Sequence, residues 1–341
     1  MAGGGAWLLL SGSADGGAQQ PRVTMSMNSF RDAEPLRRHA AAIDGRTPLD
    51  TSGKSDTATA HGRNTAKREQ IAAAGMHPHP DPLLLEQSDL GPLPVIGKDG
   101  RVPWRVYARP YSLLDERPRI AVVIAGLGIS ETMTQQVIES MPGEVTLSFA
   151  AFSKNIKKWI DRSRADGHEV LIDLPMEPID YPASDPGPRT LLASVPIDQN
   201  LRQLEWILSR ATGYIGVATH MGSGLGTKPR ALNPILTELK GRGLLLVDTR
   251  ENPVSLTGKL AREMGMTVAS NESFIDRQPA GKIISKRLAE LEDRAKNHGT
   301  IVAVARPLPV TLQLLKPWIA SLKGKGLALA PVSALATTKP K

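Results

Sequence analysis

In Gly216–Gly226, GVATHMGSGLG, an apolar approach ends in His220 and small residues follow at once. An imidazole at a strand end can ligate a metal, move a proton or bind a ligand. Glycines beside it let backbone come close. The alternative is a tight turn whose histidine only hydrogen-bonds its neighbours. Other chemically able side chains stand in comparable places, at or just after apolar runs: Asp173 with Glu177, Asp248 with Arg250, then Asp276, then Arg306. Such carboxylates can serve as general base or oxygen ligand, and arginines can receive a carboxylate or phosphate. One histidine with Asp173, Asp248 or Asp276 is a donor set that hard divalent metals accept. Asp248 has a second reading, as a partner of Arg250 or a cap on the following helix.

Of the seven histidines, four lie in the first 80 or so residues. His77 and His79, in HPHPDP, read as linker residues. His168 and His298 precede apolar runs and belong to the opposite rim. Only His220 is left for the chemical face, so a two-histidine metal site is not available there.

The elements that must position these residues are legible from Arg119 onward. Strands are predicted at 120–124, 145–149, 169–174, 214–218, 244–248, 267–270, 301–305 and 327–332. Helices are predicted at 131–140, 154–165, 198–211, 232–241, 254–264, 280–297 and 309–323. In 280–297 Ile283, Ile284, Leu288, Leu291 and Ala295 share one face at 3.6 spacing. Glycines stand at helix ends, as at Gly167, Gly241, Gly265, Gly299 and Gly324. Alternating strands and helices of this length imply an α/β parallel sheet, as a closed (β/α) barrel or an open doubly wound sheet. In both, a site sits beyond the carboxyl ends of the strands.

The chain has 341 residues, 40% hydrophobic, enough for one large domain plus a tail, or for two domains. With no cysteine, disulfides, thiolate catalysis and Cys-ligated metals are excluded. The net charge is +8, and nearly all of the excess lies beyond residue 117. Aromatics are only 4%, and no nucleic-acid motif is present, so no nucleic-acid partner is expected. AGLGISETM fails the dinucleotide fingerprint because Glu131 holds the third glycine position. GSGLGTKP has the wrong order for a phosphate loop, and Ser223 is not in a nucleophile elbow.

Residues 1–110 read as a disordered tail or linker, with Pro103–Ser112 as an extended lead-in that packs on the domain. The start, MAGGGAWLLLSGSADGG, lacks the basic region of a signal peptide. Its AWLLL is read as either the remnant of an N-terminal membrane anchor or a simple apolar tail. The folded domain is expected over 111–336, with 337–341 as a tail.

From Arg119 to Leu335 the chain resembles the divergent polysaccharide deacetylases, relatives of the NodB-type carbohydrate esterases. The resemblance rests on VTLSF, LPMEPIDYPASDPGPRTLL (Leu174–Leu192), THMGSGL (Thr219–Leu225), GLLLVDTR (Gly243–Arg250), FID (Phe274–Asp276) and the closing PLPVTLQLLKPWIASLKGKGLALAPVSAL. It implies a distorted (β/α) barrel of the glycoside hydrolase/deacetylase type. It also implies hydrolysis of acetyl groups on a cell-envelope polysaccharide by water activated on a divalent metal, zinc above all. By this resemblance His220 is a metal ligand. Asp248, Asp276 and Glu177 are catalytic candidates, and Arg250, Arg306 and Asp173 line the substrate pocket. The partner is a polysaccharide or cell-wall glycan and the place a bacterial cell envelope or periplasm. Three departures stand against the metal. Ala125–Gly126 replaces a usual pair of aspartates, Arg306 a usual histidine, and Thr219 a usual asparagine. The alternative reading is a catalytically inactive relative that binds a glycan or envelope partner.

Overall fold

The computed structural model describes residues 75–112 and 114–339. The expectations placed on 1–74, including the membrane anchor, lie outside the described residues.

The first strands among the described residues form a hairpin, β1 (Leu85–Ser88) and β2 (Gly91–Pro94), followed by a short turn of helix, α1 (Pro103–Val106). Strands and helices then alternate: β3 (Arg119–Leu127), α2 (Glu131–Ser140), β4 (Thr146–Ala150), α3 (Ile156–Ala165), β5 (Val170–Met176), α4 (Ile197–Leu208), β6 (Gly216–Met221), α5 (Pro229–Gly241), β7 (Leu245–Asp248), α6 (Thr257–Glu263) and β8 (Val268–Ser270). A short β9 (Ser273–Phe274), α7 (Gly281–His298), β10 (Thr300–Ala305), α8 (Pro309–Leu322) and β11 (Ala328–Leu329) complete the fold.

The main sheet runs β8-β7-β6-β5-β4-β3-β10-β9, all parallel. Its two edge strands are joined by only Asn271 and Glu272, so Ser270 and Ser273 are at most about 11 Å apart. A sheet whose edges are tied that closely has to curl. The result is the expected distorted barrel, closed on one side by chain rather than by a ladder. β3 is long enough to serve three neighbours. It pairs with β10 over Arg119–Ile124, with β4 from Val123 onward, and with β11 at Arg119 and Ile120.

Period-two alternation along the strands sorts the core into two layers. Val123, Leu171, Ala218, Val247 and Val304 face the barrel interior. Ile124, Ile172, Val217, Leu246 and Ala305 face the helices. The interior layer is built largely of alanine and valine, which suits the narrow bore of a barrel.

Two segments differ from expectation. Part of the predicted linker, residues 75–110, is folded onto the floor of the barrel, the end where the strands begin. Leu84 and Tyr107 join the interior cluster, with 0% and 2% exposure. The buried Arg164 guanidinium holds this lead-in by donating to the carbonyls of His77, Tyr107 and Gly213, and it lies over the Tyr107 ring. His79 lies near Asp161, and neither it nor His77 is near His220's end of the barrel. At the other terminus Thr337, expected in a tail, exchanges two backbone hydrogen bonds with Val268. Glu169 ties the floor together. Fully buried, it accepts from Arg109 N, Thr146 Oγ1, Ser333 N and Ser333 Oγ.

Candidate functional site

Asp173 stands midway along β5 and His220 near the carboxyl end of the neighbouring β6. Asp173 is in register with Ala218, and His220 stands two residues beyond Ala218. Leu171 and Ala218 are interior residues, so the alternation turns Asp173 and His220 to the same inner face. Both line a cavity of about 210 Å³ walled mainly by small or apolar residues, including Ala150, Ala151, Phe152 and Pro175. Ser148 Oγ donates to one Asp173 oxygen, and Gly126 N donates to the other at 3.0 Å. Burial pushes the Asp173 carboxyl up from its ordinary value; the His220 charge and these two donors oppose the rise, and Glu251 adds to it.

The glycines after His220 let backbone come close, and what comes close is the neighbouring loop. Gly222 N donates to Met176 O, and Gly224 N and Leu225 N donate to Glu177 O. A Cβ at Gly224 would meet Pro178 O at 2.9 Å, and Gly222 has φ +82°. Small residues here let two loops run backbone to backbone, which seats the His220 loop on the Glu177 loop. Glu177 is part of that seat, accepting from Ala193 N through Oε2 at 2.5 Å. Its carboxylate is thus engaged in holding its own loop.

Asp248 stands apart from His220. It shares the outer face of β7 with Leu246, which packs toward the helices. Its oxygens accept from Arg250 N at 3.1 Å and Gly258 N at 3.0 Å, the latter in the first turn of α6. Burial pushes its carboxyl up, and these backbone donors oppose the shift. Asp248 thus both partners Arg250 and holds the start of the following helix. Arg250, exposed and held in the left-handed region at φ +51°, turns to another cavity, about 310 Å³, shared with Arg277 and Arg287.

Asp276 and Arg306 form a closed pair. Asp276 Oδ2 accepts from Arg306 N at 2.9 Å and from Thr311 Oγ1 at 2.8 Å. The guanidinium returns to donate to Asp276 O at 2.5 Å, with Nε 3.5 Å from Oδ1. Arg306 is therefore already partnered by a carboxylate, and Asp276 is fully buried.

A divalent metal does not fit this donor set. His220 brings one imidazole, and the carboxylate beside it has both oxygens engaged. Among the described residues no three of His, Asp or Glu are grouped to hold a metal ion. At the ends of β3 and β10, Gly126 and Arg306 supply a backbone donor and a guanidinium, neither of which ligates a cation.

Sequence reasoning missed three participants. Ser148 reads as the interior of an apolar strand. Asp185, in DPGP, lines the Asp173–His220 cavity and a larger one of about 550 Å³ beside it. Glu251 accepts from Met221 N at 3.1 Å, next to His220. The signal for Asp185 was its place inside LPMEPIDYPASDPGP, where only Glu177 was singled out.

A model of the divergent polysaccharide deacetylase family matches residues 122–336. The crystal structure of an uncharacterized protein from Agrobacterium tumefaciens C58 is similar, at 35% identity with a TM-score of 0.70. The match covers 72% of this chain and 99% of that one. An uncharacterized protein of Haemophilus influenzae is 23% identical over 205 residues, 60% of this chain and 72% of its own. The uncharacterized protein YibQ of Escherichia coli K12 is 22% identical over 204 residues, 60% of this chain and 63% of its own.

Proposed function

We propose a function from one premise: the chain belongs to the divergent polysaccharide deacetylase family. Within it this member is a glycan-binding protein of the bacterial cell envelope. It holds a polysaccharide at the Asp173–His220 cavity without a metal-activated water. The observation that carries this reading is the state of Asp173, whose two oxygens are taken by Ser148 and Gly126. Two donors fix that carboxylate in orientation, and among the described residues it makes with His220 only two candidate ligands, one short of the three a catalytic metal site draws from the protein.

The cavity has the size and lining to receive one small substituent of a sugar, such as an acetyl group, with its methyl against Ala150 and Ala151. The adjoining cavity shares Asp185 and Gly187 with it and adds Tyr181, Arg189, Gln199 and Gln203. An exposed aromatic ring and planar amides suit sugar faces and hydroxyls.

One observation favours a second reading, removal of the acetyl group. His220 and Asp173 share the inner face, where an imidazole can take a proton from water attacking an acetyl carbonyl.

Titration calorimetry with the β-1,4-linked hexamer of N-acetylglucosamine, zinc analysis after incubation and an acetate-release assay test both readings. The expected result is saturable binding weakened about tenfold or more in His220→Ala, with neither stoichiometric zinc nor acetate. Acetate release abolished in His220→Ala, with no metal bound, establishes the second reading. Zinc at one per chain, lost in His220→Ala, overturns the metal-free account. Absence of binding overturns the glycan reading.

A further inference from the structure

A third cavity opens at the same end of the barrel as His220, beside the ends of β7, β8 and β9. Its volume is about 310 Å³, and Arg250, Arg277 and Arg287 line it. One carboxylate, Glu272, shares the lining, and Arg294 already binds it through both its side chain and its carbonyl. Glu290 offsets Arg287 and Arg294 offsets Glu272, which leaves Arg250 and Arg277 as a surplus of positive charge around a concave space. A cavity with low-dielectric walls concentrates such a field more than a flat surface does.

The arginines are placed from three separate elements. Arg277 lies over the Phe274 ring, its guanidinium carbon 4.8 Å from the centroid, so one face is packed while its edge donors remain for a ligand. Arg287 projects from α7 and pairs with Glu290 on the exposed side. Arg250 is the costly member. It is a non-glycine residue at φ +51°, held there by its N–H bond to buried Asp248. Asp248 holds Gly258 of α6 with its other oxygen, so the conformation of Arg250 is fixed from the barrel outward. The next residue, Glu251, reaches Met221 beside His220. One short loop thus serves both cavities.

We propose that Arg250, Arg277 and Arg287 form an anion-binding subsite for a carboxylate or phosphate group carried by the glycan. The subsite would select an acidic polymer over a neutral one. This deepens the proposed function and rests on it for the identity of the polymer, though not for the anion itself. Planar guanidinium groups receive carboxylate and phosphate in paired hydrogen bonds, and three of them from different elements discriminate by geometry as well as by charge. Arg306 has no part in it: its guanidinium is turned to Asp276, and it does not line this cavity.

The test is calorimetry on the full chain and on the combined Arg277→Gln, Arg287→Gln variant, both positions being exposed. The probes are inorganic phosphate, a galacturonic acid hexamer and the neutral N-acetylglucosamine hexamer. The expected result is binding of at least one anionic probe, weakened tenfold or more in the variant and by added salt. The neutral hexamer should bind both proteins alike. Tighter binding of phosphate or of the uronate says which anion the subsite takes. Equal binding of the anions by both proteins, or none by either, overturns the proposal. Neutral-hexamer binding that depends on His220 alone would then leave the glycan reading standing. Anion binding that depends on the arginines, with no binding of the neutral hexamer, supports the subsite and overturns only the glycan reading.

Discussion

Arg306 closes on Asp276 from two directions, giving its backbone N–H to the carboxylate and its guanidinium to the backbone carbonyl. The buried member depends on the half-exposed one. Asp276→Ala removes the acceptor for Arg306 N and Thr311 Oγ1 inside the protein, a loss of about 2–4 kcal/mol. Arg306→Gln keeps the backbone donor and removes only a solvent-screened charge, a loss of about 1 kcal/mol. Urea denaturation of both variants checks the order.

Asp173 makes stability depend on pH in a stated direction. Its carboxyl is raised in the fold by burial, so the folded protein takes up its proton more readily than the unfolded chain. Its contribution is fully present below the ordinary carboxylate value of 3.8 and is lost as pH rises through the raised folded value. Asp173→Asn, which cannot ionise, should show a smaller fall in stability with rising pH from about 4. The difference between the two unfolding curves isolates this group from the other carboxylates.

Arg250 stores strain that glycine would release. Arg250→Gly should stabilise the protein by roughly 1 kcal/mol, raising Tm by about 2–3 °C. The same variant should lose affinity for the anionic probe. Differential scanning calorimetry with and without phosphate separates these two opposed effects.

Glu169 is an acceptor surrounded by donors. Glu169→Gln keeps the shape and turns an amide N–H₂ toward groups that also donate. The expected cost is about 2–4 kcal/mol, measured in urea. Ser333→Ala removes one of those donors and should cost less.

The strands and helices of the barrel were readable within a few residues, because each is an apolar run or a 3.6-residue stripe. β9 was not, since two residues carry no period. The orientation of Asp248 was hidden for a related reason. A strand buried on both faces reads as a continuous apolar run, so LLLVD does not show which residues face inward. The lead-in at 75–110 reads as linker because prolines and glycines outnumber its few anchors, Leu84, Leu93 and Tyr107. His220 and Asp173 were found from residue type and strand-end position. Asp185 and Glu251 lie on loops, where chain direction follows from packing rather than from pattern.

The three-sided pairing of β3 sets an order of events during synthesis. β3 leaves the ribosome before any other strand of the main sheet, yet its partners along Arg119–Ile124 are β10 and β11, made last. Until Thr300 and the residues after it emerge, half of β3 has an open edge and the floor carboxylate Glu169 lacks its Ser333 donors. Pairings this distant in sequence form slowly. A chain stopped after α7 is therefore not a smaller copy of the protein but an unclosed sheet, with its first strand free to pair with a stranger.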